Sequence, residues 1–175
     1  MLVLLVFSAI LMAAMYGIIH DQVTYSISPE YYTKFKFPQF GMEGNISPRL
    51  GATYVGIMAT WWMGIPIGLM LGFTGLIHKD NKTMFRVTIK AFLVTIMVAL
   101  LTGFTGLAYG SLILARQPIE NLEYWLIPDD IHDLKHFIAV GSMHNFSYAG
   151  GLIGLVLGVF FSIRQKRKNS LVTNE

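Results

Sequence analysis

Cysteine is absent from the chain, and charge is scarce. Without a thiol there is no thiol nucleophile, no disulfide, no thiolate metal site and no quinone-coupled disulfide chemistry. Only 13% of the 175 residues are charged, against 54% hydrophobic, whereas a soluble domain carries about a quarter charged residues. The shortfall points to a bilayer as solvent, and the mean hydropathy of +0.54 agrees. Spare length is also missing. A spanning helix takes roughly 20 apolar residues, so four such stretches with short connections consume the chain. One all-α domain of four transmembrane helices is expected, with no nucleic-acid partner.

The apolar runs place the spans at about 2–19, 50–77, 87–108 and 137–163. The first sits where a signal peptide would. It has neither a basic leading segment nor a small-x-small cleavage site, so it is read as an uncleaved helix. Basic residues set the orientation. Lys79, Lys82, Arg86 and Lys90 follow span two, and Arg164, Lys166, Arg167 and Lys168 follow span four. Both groups belong on the cytoplasmic side, which puts both termini inside. The connections 20–49 and 111–136 then face out of the cell membrane. The second of these is acidic, with Glu120, Glu123, Asp129, Asp130 and Asp133 against Arg116 and Lys135. Both are aromatic: Tyr25, Tyr31, Tyr32, Phe35, Phe37, Phe40, Tyr124 and Trp125 suit an interfacial belt, or a surface that meets lipid headgroups or a lipid substrate.

Glycines recur every fourth residue at Gly64, Gly68 and Gly72, and again at Gly150, Gly154 and Gly158. Each set makes a smooth stripe that admits a second backbone. Spans two and four can use the stripes on each other, or one stripe can serve a homo-oligomer or a membrane partner. Pro66 should kink or loosen span two. Trp61 falls on the glycine face and Trp62 does not. Trp61 can help shape a cavity or serve as a bulky packing residue.

Four of the five histidines gather toward the outer face: His20, His132, His136 and His144. His132 and His136 are four apart, so on a helix they stack on one face, with Asp129 and Asp133 beside them. The helical wheel carries that face on to His144 and to the glycine stripe, and hence into the bundle. At 1.5 Å per residue, His144 lies about 28 Å from Ile163, and His20 with Asp21 about 27 Å from Leu2. The two groups match in height and can meet if spans one and four are neighbours. Ser28-Pro29-Glu30 reads as a helix start, so a short interfacial helix to about Phe35 can lid the site, with Glu30 pointing in. The expectation is a metal or acid/base site at the outer surface. His132, Asp133, His136 and His144 are its metal candidates, and His20, Asp21 and Glu30 its catalytic ones. The plain alternatives are that Asp129 and Asp130 only cap the last helix, and that His144, Asn145, Ser147 and Tyr148 serve interhelical hydrogen bonding.

The segments His20-Asp21-Gln22-Val23-Thr24, Ser28-Pro29-Glu30-Tyr31-Tyr32-Thr33 and Ala59-Thr60-Trp61-Trp62-x-Gly64 resemble those of an uncharacterised family of small four-span bacterial membrane proteins. The resemblance covers about the first 75 residues well and the rest loosely. It implies the four-span architecture and draws attention to His20, Asp21, Gln22, Glu30, Tyr31, Trp61 and Trp62, but it implies no activity.

Two functions compete. One is a metal-dependent enzyme acting on a lipid or lipid-soluble substrate, since imidazole and carboxylate ligands suit zinc, iron or copper. Zinc would activate water, and iron or copper would serve redox chemistry. The other is a non-catalytic metal-handling protein or a subunit of a larger membrane complex. A four-helix di-iron centre is disfavoured, because span three offers only Lys90 and threonines. Ion transport finds little support in a bland midplane. Haem is unlikely, because it needs facing histidines, and only His20 and His144 lie at one height.

Overall fold

A computed structural model describes residues 1–42, 46–122 and 125–172; Glu123 and Tyr124 of the acidic aromatic loop lie outside the described residues. Among the described residues five long helices organise the chain: α1 (Leu2–Ile27), α2 (Pro48–Thr60), α3 (Gly64–Gly75), α4 (Asn81–Leu112) and α5 (Leu134–Val172). Among the described residues there is no strand. α2 and α3 are one rod interrupted by a tight 3₁₀ turn at Trp61–Met63. Four stretches are therefore long and apolar enough to cross a membrane: Leu2–Ile27, Pro48–Gly75, Asn81–Arg116 and Leu134–Asn169.

The exposed faces of the long helices are apolar. Phe7, Leu11, Met15 and Ile19 line one exposed face of α1, and Leu93, Met97, Leu101 and Phe104 one exposed face of α4. The buried set holds Thr24, Thr88, Thr95, Ser142, Ser147 and Ser162 among small and apolar residues. A water-soluble bundle distributes these classes the other way round.

The helix interruption follows from Pro66. Its ring excludes the carbonyl of Trp62 four residues back and supplies no N–H to it, so the backbone tightens just there. Thr60 marks the break, its Oγ1 lying 2.7 Å from the Gly56 carbonyl and 2.8 Å from the Ala13 carbonyl of α1. Trp61 and Trp62 both project outward and are exposed. α4 starts at Asp80, whose carboxylate accepts the N–H and the hydroxyl of Thr83 at 2.9 and 2.8 Å.

The glycine stripes are used inside the chain, but not on each other. A Cβ at Gly64, Gly68 or Gly72 would strike Ile10, Val6 or Leu2 of α1, and one at Gly150, Gly154 or Gly158 would strike Thr102, Thr95 or Ala91 of α4. Two tight pairs result, α1 with α2–α3 and α4 with α5, and they touch each other sparsely. The seam between the pairs holds the site.

Two element boundaries differ from expectation. α1 runs on to Ile27, so His20 and Asp21 are part of a helix and not of a loop. α5 begins at Leu134, so His132 precedes the helix and does not stack with His136 on a helical face. Asp133, and not Asp129 or Asp130, is the capping residue. Its carboxylate accepts the N–H of His136 at 3.2 Å, which satisfies a donor the first turn leaves free.

Candidate metal centre

Side chains four apart share a helix face, and α1 presents Tyr16, His20 and Thr24 to the seam in this way. Asp21 sits one step round the helix and is buried as well. α5 contributes His144 and Ser147 from the opposite pair. His20, Asp21, His144 and Ser147 are all buried, with exposures between 4% and 7%.

The hydrogen bonds assign the protons. His144 Nδ1 lies 2.9 Å from the Val140 carbonyl, an atom that can only accept, so Nδ1 carries the hydrogen. In the neutral ring Nε2 then bears a lone pair, and it faces Asp21 Oδ1 at 3.4 Å. His20 Nδ1–H donates to the same Oδ1 at 3.0 Å, and His20 Nε2 accepts from the Ser147 hydroxyl at 3.2 Å. Three buried polar atoms in this cluster have no hydrogen-bond partner: Asp21 Oδ2, His144 Nε2 and Tyr16 Oη. Buried polar groups are nearly always paired, and unpaired ones call for an ion, a water or a ligand.

The dimensions suit a metal. One ligand atom each from His20, Asp21 and His144 lie within 4.8 Å of one another. Metal bonds of about 2.1 Å place neighbouring ligand atoms roughly 3 to 3.5 Å apart, the spacing Asp21 Oδ1 keeps to both imidazoles. The Val140 carbonyl behind His144 and the Ser147 hydroxyl behind His20 are the kind of outer partners that fix ligand orientation. Ser147 can also accept from His20 Nε2–H if Nδ1 becomes the ligand.

A lid closes the end of the seam beside this group. After Ser28 the chain makes a wide π-helical turn, Tyr31–Lys36, and a short helix, Phe37–Gln39. The Tyr31 ring lies 4.9 Å from that of His144. Tyr32 donates its O–H to Thr24 Oγ1 at 2.5 Å, and Thr24 passes its own to the His20 carbonyl at 3.0 Å. Burial raises both tyrosine phenols above their ordinary range and keeps them protonated. Lys36 also reaches the site, and burial lowers its ammonium. Next to the site, Arg49 holds the start of α2 to α1 by donating to Gln22 Oε1 at 3.2 Å and to Ser26 Oγ at 3.0 Å.

His20, Asp21 and His144 thus come together, and the remaining candidates do not join them. His132, Asp133 and His136 are exposed on the far side of the lid. His136 Nδ1–H donates to Asp133 at 2.6 Å, which holds the Asp133 carboxyl below its ordinary range. Glu30 does not point into the bundle. Its oxygens accept the backbone N–H of Asp133 at 2.7 Å and of His132 at 3.1 Å, and these bonds, with Lys34 beside them, lower its carboxyl. Lys34 also pairs with Asp130 at 2.9 Å. This outer group is a latch between lid and α5. Asn145 is exposed and takes no part. Tyr16, Thr24 and Lys36 were not among the sequence candidates. Tyr16-x₃-His20-x₃-Thr24 was a readable signal for the first two, and nothing marked Lys36 before the lid was folded.

The class of protein defined so far is an all-helical bundle with four candidate membrane spans and a buried two-histidine, one-carboxylate group at one end. No known family, curated protein or solved structure matches the chain.

Proposed function

We propose that the chain is an integral membrane protein whose His20, Asp21 and His144 hold a divalent transition metal and act on a lipid-soluble substrate, and that it belongs with the small bacterial membrane proteins its motifs resemble. The observation that carries the reading is the lone pair of His144 Nε2 facing the Asp21 carboxylate at 3.4 Å. Two acceptors at that distance repel each other unless a cation lies between them. Three protein ligands with open positions are the pattern of catalytic zinc and of non-haem iron. A bound metal would supply Lewis-acid or redox chemistry, while the lid excludes water from the site and Tyr31 and Tyr32 fix its outer wall. The His20 and His144 rings stand 4.6 Å apart between centroids, which leaves no room for a porphyrin between them. In this reading the site faces the extracytoplasmic side of a cytoplasmic membrane, which the basic ends of the second and fourth apolar stretches support.

A second reading rests on the same observation. The cation can be a proton, making His144 an imidazolium paired with Asp21, and the site an acid/base pair without metal. Metal content decides between them. The protein is purified in detergent without a metal-affinity tag, loaded and assayed by mass spectrometry. Near-stoichiometric metal is expected in the parent and in a His132→Ala/His136→Ala double variant, with loss in a folded His144→Ala variant. A parent that remains metal-free after loading overturns the metal reading and leaves the proton.

A further inference from the structure

The seam below the metal centre is open. A cavity of about 110 Å³ starts at His20, Asp21 and His144 and runs down the bundle between Val55, Ala59 and Met63 on one side and Ile96 and Ala99 on the other. A second void of about 40 Å³ continues it and shares Ala13, Ile67, Thr95 and Ile96 with the first. Together they follow α1 from Asp21 to Ala9, roughly 18 Å of helix. The two threonines on the way have already committed their hydroxyls. Thr60 is held by the Gly56 and Ala13 carbonyls, and Thr95 by those of Ala91 and Gly154 at 3.1 Å. Neither threonine keeps a free donor, and the unpaired buried atoms that border the cavity, on Tyr16, Asp21 and His144, gather toward one end.

A narrow apolar slot with a polar end selects a single hydrocarbon chain with a polar terminus. A diacyl lipid needs two slots, and a fused ring system needs width. Charge selects the terminus. Lys36 borders the cavity at its polar end. Its Nζ donates to Gln39 Oε1 at 3.1 Å and lies over the Tyr31 and Phe35 rings, but it forms no ion pair among the described residues. A divalent metal together with Lys36 outweighs the one negative charge of Asp21, so the end of the slot attracts an anion.

We infer that the slot binds the chain of a long-chain carboxylic acid, with the carboxylate at the metal centre beside Lys36. The inference rests on the proposed metal site for its charge, and on the cavity alone for its chain.

A photoreactive probe tests it: dodecanoic acid carrying a mid-chain diazirine, added to the full-length protein in nanodiscs, with cross-linked residues mapped by mass spectrometry. Labelling at Met63, Ile67 or Ile96 is expected, and excess unlabelled dodecanoate should suppress it while diacyl phospholipid does not. Ile96→Trp, which fills the slot, should lower that labelling at least about tenfold with metal content unchanged. Ala59→Leu provides the same test at a second wall. Lys36→Met should weaken labelling by the acid but not by the corresponding dodecanol probe. Labelling confined to outward-facing Leu93, Met97 and Leu101 overturns the inference, as does slot labelling that Ile96→Trp and Ala59→Leu leave intact. Equal slot labelling by acid and alcohol in the parent overturns the carboxylate assignment. The two readings fail separately: a metal-loaded protein without slot labelling refutes the chain site alone, and slot labelling in a metal-free protein refutes the metal alone.

Discussion

α5 meets a histidine with a serine near each end. Ser147 lies 3.2 Å from His20, and Ser162 lies 3.1 Å from His78 in the connection between α3 and α4. Both histidines are buried; one bond joins α5 to α1 and the other joins it to the connection between the pairs. Their surroundings differ. His78 has the serine, with Lys166 and Asp80 as the charged groups that act on it. His20 has in addition a buried carboxylate, a second imidazole and a void beneath. An isolated His–Ser pair is a fastener. The same pair beside a carboxylate with a spare oxygen is placed to support a ligand. The comparison shows that neither histidine burial nor the hydrogen bond marks a site; the unpaired atoms do.

The largest effect should come from the carboxylate. Asp21→Asn is expected to weaken metal binding by more than about 100-fold, since removing even an outer partner of a ligand costs 10- to 100-fold, whereas His78→Ala should leave affinity unchanged. Competition with a chelator of known affinity measures both. Equal loss from the two variants would mean that the ends are not different in kind.

The serines sharpen the contrast. Ser147→Ala and Ser162→Ala each leave a buried imidazole nitrogen without its partner, and each should cost about 1 to 3 kcal/mol in reversible unfolding. Only Ser147→Ala should also reduce metal affinity, by roughly tenfold. A matching drop in Ser162→Ala would show that the effect is global loosening.

The smallest effects are in pH. Burial, with Lys166 nearby, lowers His78 below its ordinary value of 6.5. A lowered base favours the folded state above the unfolded pKa, and that contribution is lost as pH falls from about 6.5 toward the folded value. Glu30 is lowered by the N–H groups of Asp133 and His132. Its contribution is complete above the ordinary carboxylate pKa of 4.5 and disappears as pH falls through the folded value. Thermal melts should therefore lose stability in two steps, the milder-acid step smaller in His78→Asn and the stronger-acid step smaller in Glu30→Gln. A single step unaffected by either variant would remove the assignment.

The four apolar stretches were readable because a bilayer demands length and hydropathy over a whole helix, a signal that local detail cannot hide. His20, Asp21 and His144 were readable by depth: counting residues from Leu2 of α1 and from Ile163 of α5 put them at one height. Their separation from His132 and His136 was not readable. It depends on where α5 begins, and that is set by the Asp133 cap and by Glu30 reaching across from a segment a hundred residues earlier. Periodicity gave the glycine faces but not their partners. Gly68 meets Val6 and Gly154 meets Thr95, pairings that only the packed bundle determines.

The sparse seam has a consequence for biogenesis. Each tight pair is consecutive in the chain, α1 to α3 and then α4 with α5, so the first pair can assemble before the second has been synthesised. His20 and Asp21 lie in the first half, His144 and Ser147 in the second, and neither half holds a complete ligand set. The His20–Asp21–His144 group is therefore complete only once the two pairs have docked. Two polypeptides divided in the short connection between α3 and α4, produced together, should reconstitute the whole.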